Sequence, residues 1–300
     1  MKKKFILAFV DFLCKLHILS PIQVARLKFY YKFHRMPDFE NPKDLNEKIN
    51  WLKFYGDTSM WPDLADKFKV REYVESLGLG DTLVKLYGKW DNANEIDWDK
   101  CPNQFVLKVN NGSGDVLICK DKKNLDIPSV VRKYNKLVSM KYGDVSGEPH
   151  YADIKPCIIM EELLDTTKQS GNSSSLIDYK IWCFNGKPYY IWCAWNREGH
   201  SANVGLFDTE WNYHPEYSVF NDSFPAGKKQ LPKPLTFERM KDIATKLSED
   251  FPEVRVDLYE VDGKVYFGEL TFTSLGGFMD YYTDEFLQKC GSIIRLPFEG

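Results

Sequence analysis

V-R-V-D-L-Y-E-V-D-G-K-V-Y-F-G-E-L-T-F, residues 254–272, holds two alternating runs of apolar and polar residues on either side of Asp262-Gly263. That dipeptide suits the positive backbone angles of a tight hairpin turn, so the stretch reads as strands Val254–Val261 and Lys264–Phe272. Asp257 and Glu269 then lie on adjacent strands, with Arg255 and Thr271 in the same alternating set. Two neighbouring carboxylates repel unless a cation sits between them. Mg²⁺ suits such a pair, because it takes one or two carboxylates together with substrate phosphates. Register decides the outcome. A three-residue loop with Gly263 left-handed puts Asp257 and Glu269 on one face, whereas a two-residue Asp262-Gly263 turn sets Asp257 opposite Gly268 and sends the carboxylates to opposite faces. A metal site therefore requires the odd-length loop or a compensating bulge. The alternative is a solvated acidic hairpin.

Outward from this hairpin, F-V-L-K-V-N-N-G-S-G-D, residues 105–115, reads as a strand, a glycine loop and a second strand from Val116 to Cys119. Glycines let backbone N–H groups approach phosphate oxygens, and Lys108 on the first strand can reach the same oxygens. No G-K-S/T follows, so this is not a Walker A loop, and an ordinary tight hairpin is the competing reading. The string from Asp63 to Gly78 has the spacing of one amphipathic helix, and Thr82–Lys89 and residues 157–164 read as strands. A helix is expected from Pro128 to Tyr142, with Val130, Val131, Tyr134, Leu137 and Val138 inward, and another over residues 236–250. Tyr179–Phe184 and Pro188–Trp195 flank the turn dipeptide Asn185-Gly186. Their aromatic side chains, among them Tyr179, Trp182, Phe184, Trp192 and Trp195, either stack on sugar rings or fill the core. The polar stretch 166–175 has the composition of a mobile surface loop that covers a ligand.

The chain has 300 residues, 43% of them hydrophobic and 15% aromatic, which supplies a large core. A formal net charge of -3 gives no general electrostatic case for a nucleic-acid partner. Seven cysteines, widely spaced and without a C-x-x-C pair, read as reduced core thiols of a cytoplasmic protein. The first 14 residues imitate a signal peptide, but Asp11 and Lys15 interrupt the apolar character. Residues 1–35 are basic and amphipathic, which suits either peripheral contact with an anionic membrane face or an ordinary helical extension.

Five strings in order, D-K-F-K-V-R-E-Y-V (66–74), Q-F-V-L-K-V-N-N-G-S-G (104–114), D-Y-K-I-W-C-F-N-G-K-P (178–188), F-P-E-V-R-V-D-L-Y (251–259) and G-K-V-Y-F-G-E-L-T-F (263–272), resemble the TupA-like ATP-grasp family. The resemblance runs from about residue 30 to 290. It implies an α+β ATP-grasp fold, two β-rich lobes with helices clasping ATP, and use of Mg²⁺. The division it implies is a helical extension over 1–62, the N-terminal part of the fold over 63–95, a small lobe with the flap over 96–165, and a C-terminal lobe with the metal-binding hairpin over 166–300. On this resemblance Lys67, Lys108 and Lys180 contact phosphates, and Gly112, Ser113 and Gly114 form the flap. Glu161 and Leu163 form the hinge against adenine and ribose, Asp257 and Glu269 hold metal, and Arg255 and Lys180 act in catalysis. Thr271, the third residue of the implied metal set, stands where many such enzymes have Asn and offers a hydroxyl in place of an amide oxygen.

The function implied is an ATP-dependent carboxylate–amine ligase that forms an amide through an acyl phosphate. Its partners would be a uronic-acid-containing saccharide of a bacterial surface polysaccharide and an amino acid or other amine. Such chemistry asks the protein mainly to position ATP and spread its charge, which agrees with the lack of a nucleophile motif. A glycosyltransferase, a sugar kinase and an inactive carbohydrate-binding scaffold are the competing functions.

Overall fold

The computed structural model describes residues 19–112, 114–140, 147–199, 201–227 and 231–297. The readings above that fall on residues 1–18, Ser113, Lys141–Tyr142 and 298–300 lie outside the described residues. In chain order the elements are α1 (Pro21–Phe33), α2 (Leu45–Tyr55), α3 (Trp61–Ala65), α4 (Val70–Ser76), β1 (Leu86–Trp90), β2 (Phe105–Val109), β3 (Leu117–Cys119) and α5 (Ile127–Val138). They continue with β4 (Ile158–Glu161), β5 (Asp178–Phe184), β6 (Lys187–Glu198), β7 (Ser201–Asp208), α6 (Phe237–Ser248), β8 (Glu253–Val261), β9 (Lys264–Thr271) and α7 (Asp284–Ile293).

Two antiparallel sheets organise the α+β fold, a small one in the order β1-β4-β2-β3 and a large one in the order β7-β6-β5-β8-β9. On the small sheet Phe105, Leu107 and Val109 alternate inward and pack with Ile158, Met160 and the Val130 and Tyr134 side of α5. The buried Tyr134 hydroxyl donates to the Leu107 carbonyl at 2.6 Å, so the polar end of that ring is satisfied inside the core. The alternation leaves Lys108 on the other face of β2. The small sheet begins earlier than residue 96, since β1 is one of its strands. That strand is also later than the expected Thr82–Lys89, because Gly80–Thr82 forms a tight helical turn in which the Thr82 hydroxyl donates to the Leu79 carbonyl at 2.7 Å.

The large sheet buries its aromatic stripe. Tyr179, Trp182, Phe184, Trp192 and Trp195 share one core with α6, α7 and the apolar residues of α2, α3 and α4. The sugar-platform reading of the stripe is thus replaced by a core role, at about 1.5–3 kcal/mol for each fully buried large side chain. Residues of the expected extension, such as Leu45 and Ile49, belong to this same core. The segment 166–175 is also tied down: Gln169 accepts from the Ile177 N–H at 2.6 Å, and the Lys168 carbonyl accepts from Asp262 N–H at 2.9 Å. Five of the six described cysteines are buried, and all six are free thiols.

The expected single helix from Asp63 is two short helices. The Asp66 carboxylate accepts from the N–H groups of Phe68 and Lys69 at 2.7 and 3.2 Å, and from the Asn110 side chain at 2.8 Å. Those bonds compete with continuation of the helix. Lys67 consequently lies in the turn between α3 and α4, with its N–H on the Asn110 carbonyl at 3.1 Å.

Candidate active site

The β8–β9 hairpin turns through two residues, Asp262 (φ 57°) and Gly263 (φ 68°), with Val261 paired to Lys264. Continued without change, that register would separate the carboxylates. A bulge at Gly268 resets it, so that Leu258 pairs with Phe267 and Asp257 with Glu269. Glycine suits the bulge, because a Cβ there would stand 3.0 Å from the Asp257 carbonyl and 2.9 Å from the Tyr259 ring. Lys180 on β5 is opposite Asp257 in turn, so Lys180, Asp257 and Glu269 form one row across three strands. Arg255 and Thr271 pair in the next row of the same face.

Within this row the charges are densely connected. Arg255 grips Asp257 with two nitrogens, Nε to Oδ1 at 2.6 Å and Nη2 to Oδ2 at 2.8 Å. Lys180 reaches the same Asp257 carboxylate at 2.5 Å and Asp178 at 3.8 Å. Glu269 is 3.5 Å from Arg255 Nη2 and 3.4 Å from Lys67 Nζ. Thr271 Oγ1 donates to Glu269 at 3.3 Å and accepts from Arg255 at 3.1 Å, so its hydroxyl orients Glu269 in this arrangement. Asp257 is 1% exposed, whereas the Glu269 side chain is 33% exposed and is the more open of the two oxygen donors. Burial by itself would raise the Glu269 carboxyl, but Lys67, Lys180 and Arg255 outweigh it and hold the group at about 2. For Lys180 the cost of burial is outweighed by Asp178 and Asp257, and its affinity for the proton rises.

Lys67 links this row to the flap. Its Nζ donates to the Gly112 carbonyl at 2.8 Å while facing Glu269. Gly112 and Gly114 border open space, and Gly114 has φ 88°, a backbone that favours glycine. On the face of the small sheet opposite its core, Lys108 Nζ is 2.6 Å from Glu161 Oε2, and Arg71 Nη1 approaches Glu161 Oε1 at 3.7 Å. Glu161 at the end of β4 thus pairs with two cations at the position expected for the hinge. Leu163 follows in the half-buried extended segment beyond β4, where Glu162 N–H donates to the Lys85 carbonyl at 2.9 Å.

Residue-type reasoning passed over Arg71, Asp66 and Asn110 as site residues, although Arg71 and Asp66 stand in the quoted D-K-F-K-V-R string. Their sequence signal is a polar residue near the end of a short element, but the partners that bring them to the site, Asn110 at 44 residues from Asp66 and Glu161 on β4 for Arg71, are distant in the chain. Among the described residues no group of three or more His, Cys, Asp or Glu is placed to hold a metal ion. The oxygen donors are the two carboxylates Asp257 and Glu269, facing each other in register. That set fits Mg²⁺, which completes its shell with phosphate and water. It does not fit a closed structural metal site.

A charged row on a bulged hairpin, linked through one lysine to the glycine loop of a second antiparallel sheet, is the arrangement expected of an ATP-grasp protein. The profile of the TupA-like ATP-grasp family matches residues 47–295, and the chain belongs to that family. Among solved structures, the chain is similar to D-alanine–D-alanine ligase from Bacillus anthracis, at 16% identity and a TM-score of 0.45 over 77% of this chain and 63% of that one. The corresponding ligase from Helicobacter pylori aligns at 15% identity and a TM-score of 0.43, over 84% of this chain and 70% of that one. N5-carboxyaminoimidazole ribonucleotide synthetase from Thermus thermophilus aligns at 9% identity and a TM-score of 0.42, over 76% and 51%. No curated protein matches the chain in sequence.

Proposed function

We propose that the protein is an ATP-dependent carboxylate–amine ligase that joins an amino acid or other amine to a uronic acid of a bacterial surface polysaccharide or its precursor. The observation that carries the reading is the row Lys180–Asp257–Glu269, with Lys67 spanning from Glu269 to the flap carbonyl of Gly112. In the first step a carboxylate oxygen of the substrate attacks the γ-phosphorus, an acyl phosphate O–P bond forms, and the β–γ anhydride bond breaks to release ADP. In the second step the amine nitrogen attacks the acyl carbon, the C–N bond forms, inorganic phosphate leaves, and the nitrogen gives up its proton.

Lys67, Lys108 and Lys180 balance the triphosphate charge, and Arg255 stabilises the charge that develops on the transferred phosphoryl group. Gly112, Ser113 and Gly114 close over the phosphates. Leu163 offers its backbone to the adenine edge, while Glu161 orients Lys108. Asp257 and Glu269 would hold Mg²⁺, which supplies neutralisation of the phosphate oxygens when bound. The protein works at the cytoplasmic side, where ATP is found, and no helix among the described residues is long and apolar enough to cross a membrane. Its basic N-terminal segment, residues 1–35, offers peripheral contact with anionic lipid.

The test is calorimetry of ATP and of a UDP-sugar with Mg²⁺, on the wild type and on Glu269→Ala. Selective Mg-ATP binding that the substitution weakens is expected, followed by ADP release and amide product when uronic acids are supplied with amino acids. Preference for the UDP-sugar would instead favour a glycosyltransferase. ADP release with a sugar phosphate as product would favour a kinase.

A further inference from the structure

The loop that leaves β9 takes three successive left-handed residues, Leu275 (φ 50°), Gly276 (φ 67°) and Gly277 (φ 80°). Glycine adopts this region freely, but a non-glycine residue costs roughly 1–2 kcal/mol there, and Leu275 is also 55% exposed, so neither residue type nor burial of its own side chain accounts for its conformation. Its support comes from below. Asn46, Asn50 and Lys53 occupy one stripe of α2 at helical spacing, and all three are at most 4% exposed. Asn46 accepts from the Met279 N–H at 2.9 Å and donates to the Met279 carbonyl at 3.1 Å. Asn50 Nδ2 donates to the Gly277 carbonyl at 2.9 Å, and Lys53 Nζ to the Gly276 carbonyl at 2.9 Å. Gly277 is required by this contact, since a Cβ there would stand 2.5 Å from Asn50 Nδ2.

The stripe is made of groups that are costly to bury. Burial, only partly offset by Glu148, lowers Lys53 to about 7, so this lysine is retained at an energetic disadvantage. The other end of the loop touches the charged row: Ser274 Oγ accepts from Arg255 Nη1 at 2.7 Å, and Arg255 in turn holds Asp257. A continuous chain of hydrogen bonds thus runs from α2, through the loop backbone, to the carboxylate pair.

We propose that Asn50 and Lys53 of α2 are positioning residues that set the Thr273–Phe278 loop and, through Ser274 and Arg255, the geometry in which Asp257 and Glu269 receive Mg²⁺. This rests on the ligase reading for the role of the carboxylates. The stripe acts on the carboxylates by direction: with the loop carbonyls fixed, Ser274 offers Arg255 one partner position, and Arg255 offers Asp257 one.

The experiment compares wild type with Asn50→Leu, Lys53→Met and Ser274→Ala. Amide hydrogen exchange over residues 273–279 reports the loop, and titration of Mg²⁺ at fixed ATP by calorimetry reports the carboxylates. Exchange of the loop is expected to rise about tenfold in the two α2 variants. The Mg²⁺ concentration for half-saturation is expected to rise about tenfold in all three, as for loss of an outer partner of a metal ligand. The double variant Asn50→Leu/Ser274→Ala should add nothing to the Mg²⁺ shift of either single change, because both cut one chain. Unchanged exchange, or faster exchange with an unchanged Mg²⁺ requirement, overturns the proposal. Should an α2 variant not fold, Ser274→Ala decides by its Mg²⁺ requirement. A wild type that binds no Mg-ATP overturns the ligase reading instead, and the exchange measurement then judges the loop support by itself.

Discussion

Beside the small sheet Lys108 of β2 and Arg71 of α4 share a single carboxylate, Glu161, whereas on the large sheet Asp257 alone accepts from both Arg255 and Lys180, and Glu269 and Asp178 stand beside it. The two halves of the site therefore carry different electrostatic states. The small-sheet half has positive charge to spare, two cations held by one acid. The large-sheet half is already compensated by its own side chains, so in the proposed function metal and phosphate would exchange with contacts that exist. On that proposal Glu269, partly exposed, would be the point of exchange, and buried Asp257 the fixed one.

Breaking the large-sheet network should have the largest effect. Arg255→Met leaves Asp257 buried with one of its two cations, and a loss of about 3–5 kcal/mol is expected in chemical denaturation, as for a buried pair deprived of one partner. A loss below that of Lys108→Met in the same assay would show that the two halves are not different in this way. Lys108→Met should fold with little change, because Arg71 still faces Glu161. Its Mg-ATP affinity should fall by about 1.5–3 kcal/mol, the usual worth of a hydrogen bond to a charged group, as read by calorimetry.

The smallest effect sharpens the comparison through pH. Glu269 is held at about 2, below its usual 4.5, so its contribution to stability is complete above 4.5 and is lost as pH falls toward about 2. Glu269→Gln should flatten the acid limb of a stability–pH curve over that interval in metal-free protein. An unchanged acid limb would mean that solvent screens the pairing of this half-exposed group.

How much of the site can be read from the chain differs from element to element. The flap strand, its lysine and the hairpin turns are legible because each depends on a handful of adjacent residues and on the alternation they impose. Helix α5 is expected through Tyr142 but ends at Val138, where Ser139 caps it through bonds to the Lys136 and Leu137 carbonyls, with the inward face of Val130 and Tyr134 as read. The break at Asp66 is not legible, since the competing bonds include Asn110, 44 residues on. Nor is the fate of the aromatic stripe: the same residues serve a sugar or a core, and only the packing of α6 and α7 against the large sheet settles which.

By itself, then, the sequence determined the kinds of element and the residue types at the site, because turn chemistry and strand alternation act over a few bonds. Tertiary structure alone decided that a bulge at Gly268 returns Asp257 and Glu269 to one face, that Glu161 serves Lys108, and that α2 supports the loop beyond β9. A register shift of one residue reverses every side chain on a strand, and ion-pair partners are chosen by distance in space. Neither is written in the spacing of residues along the chain.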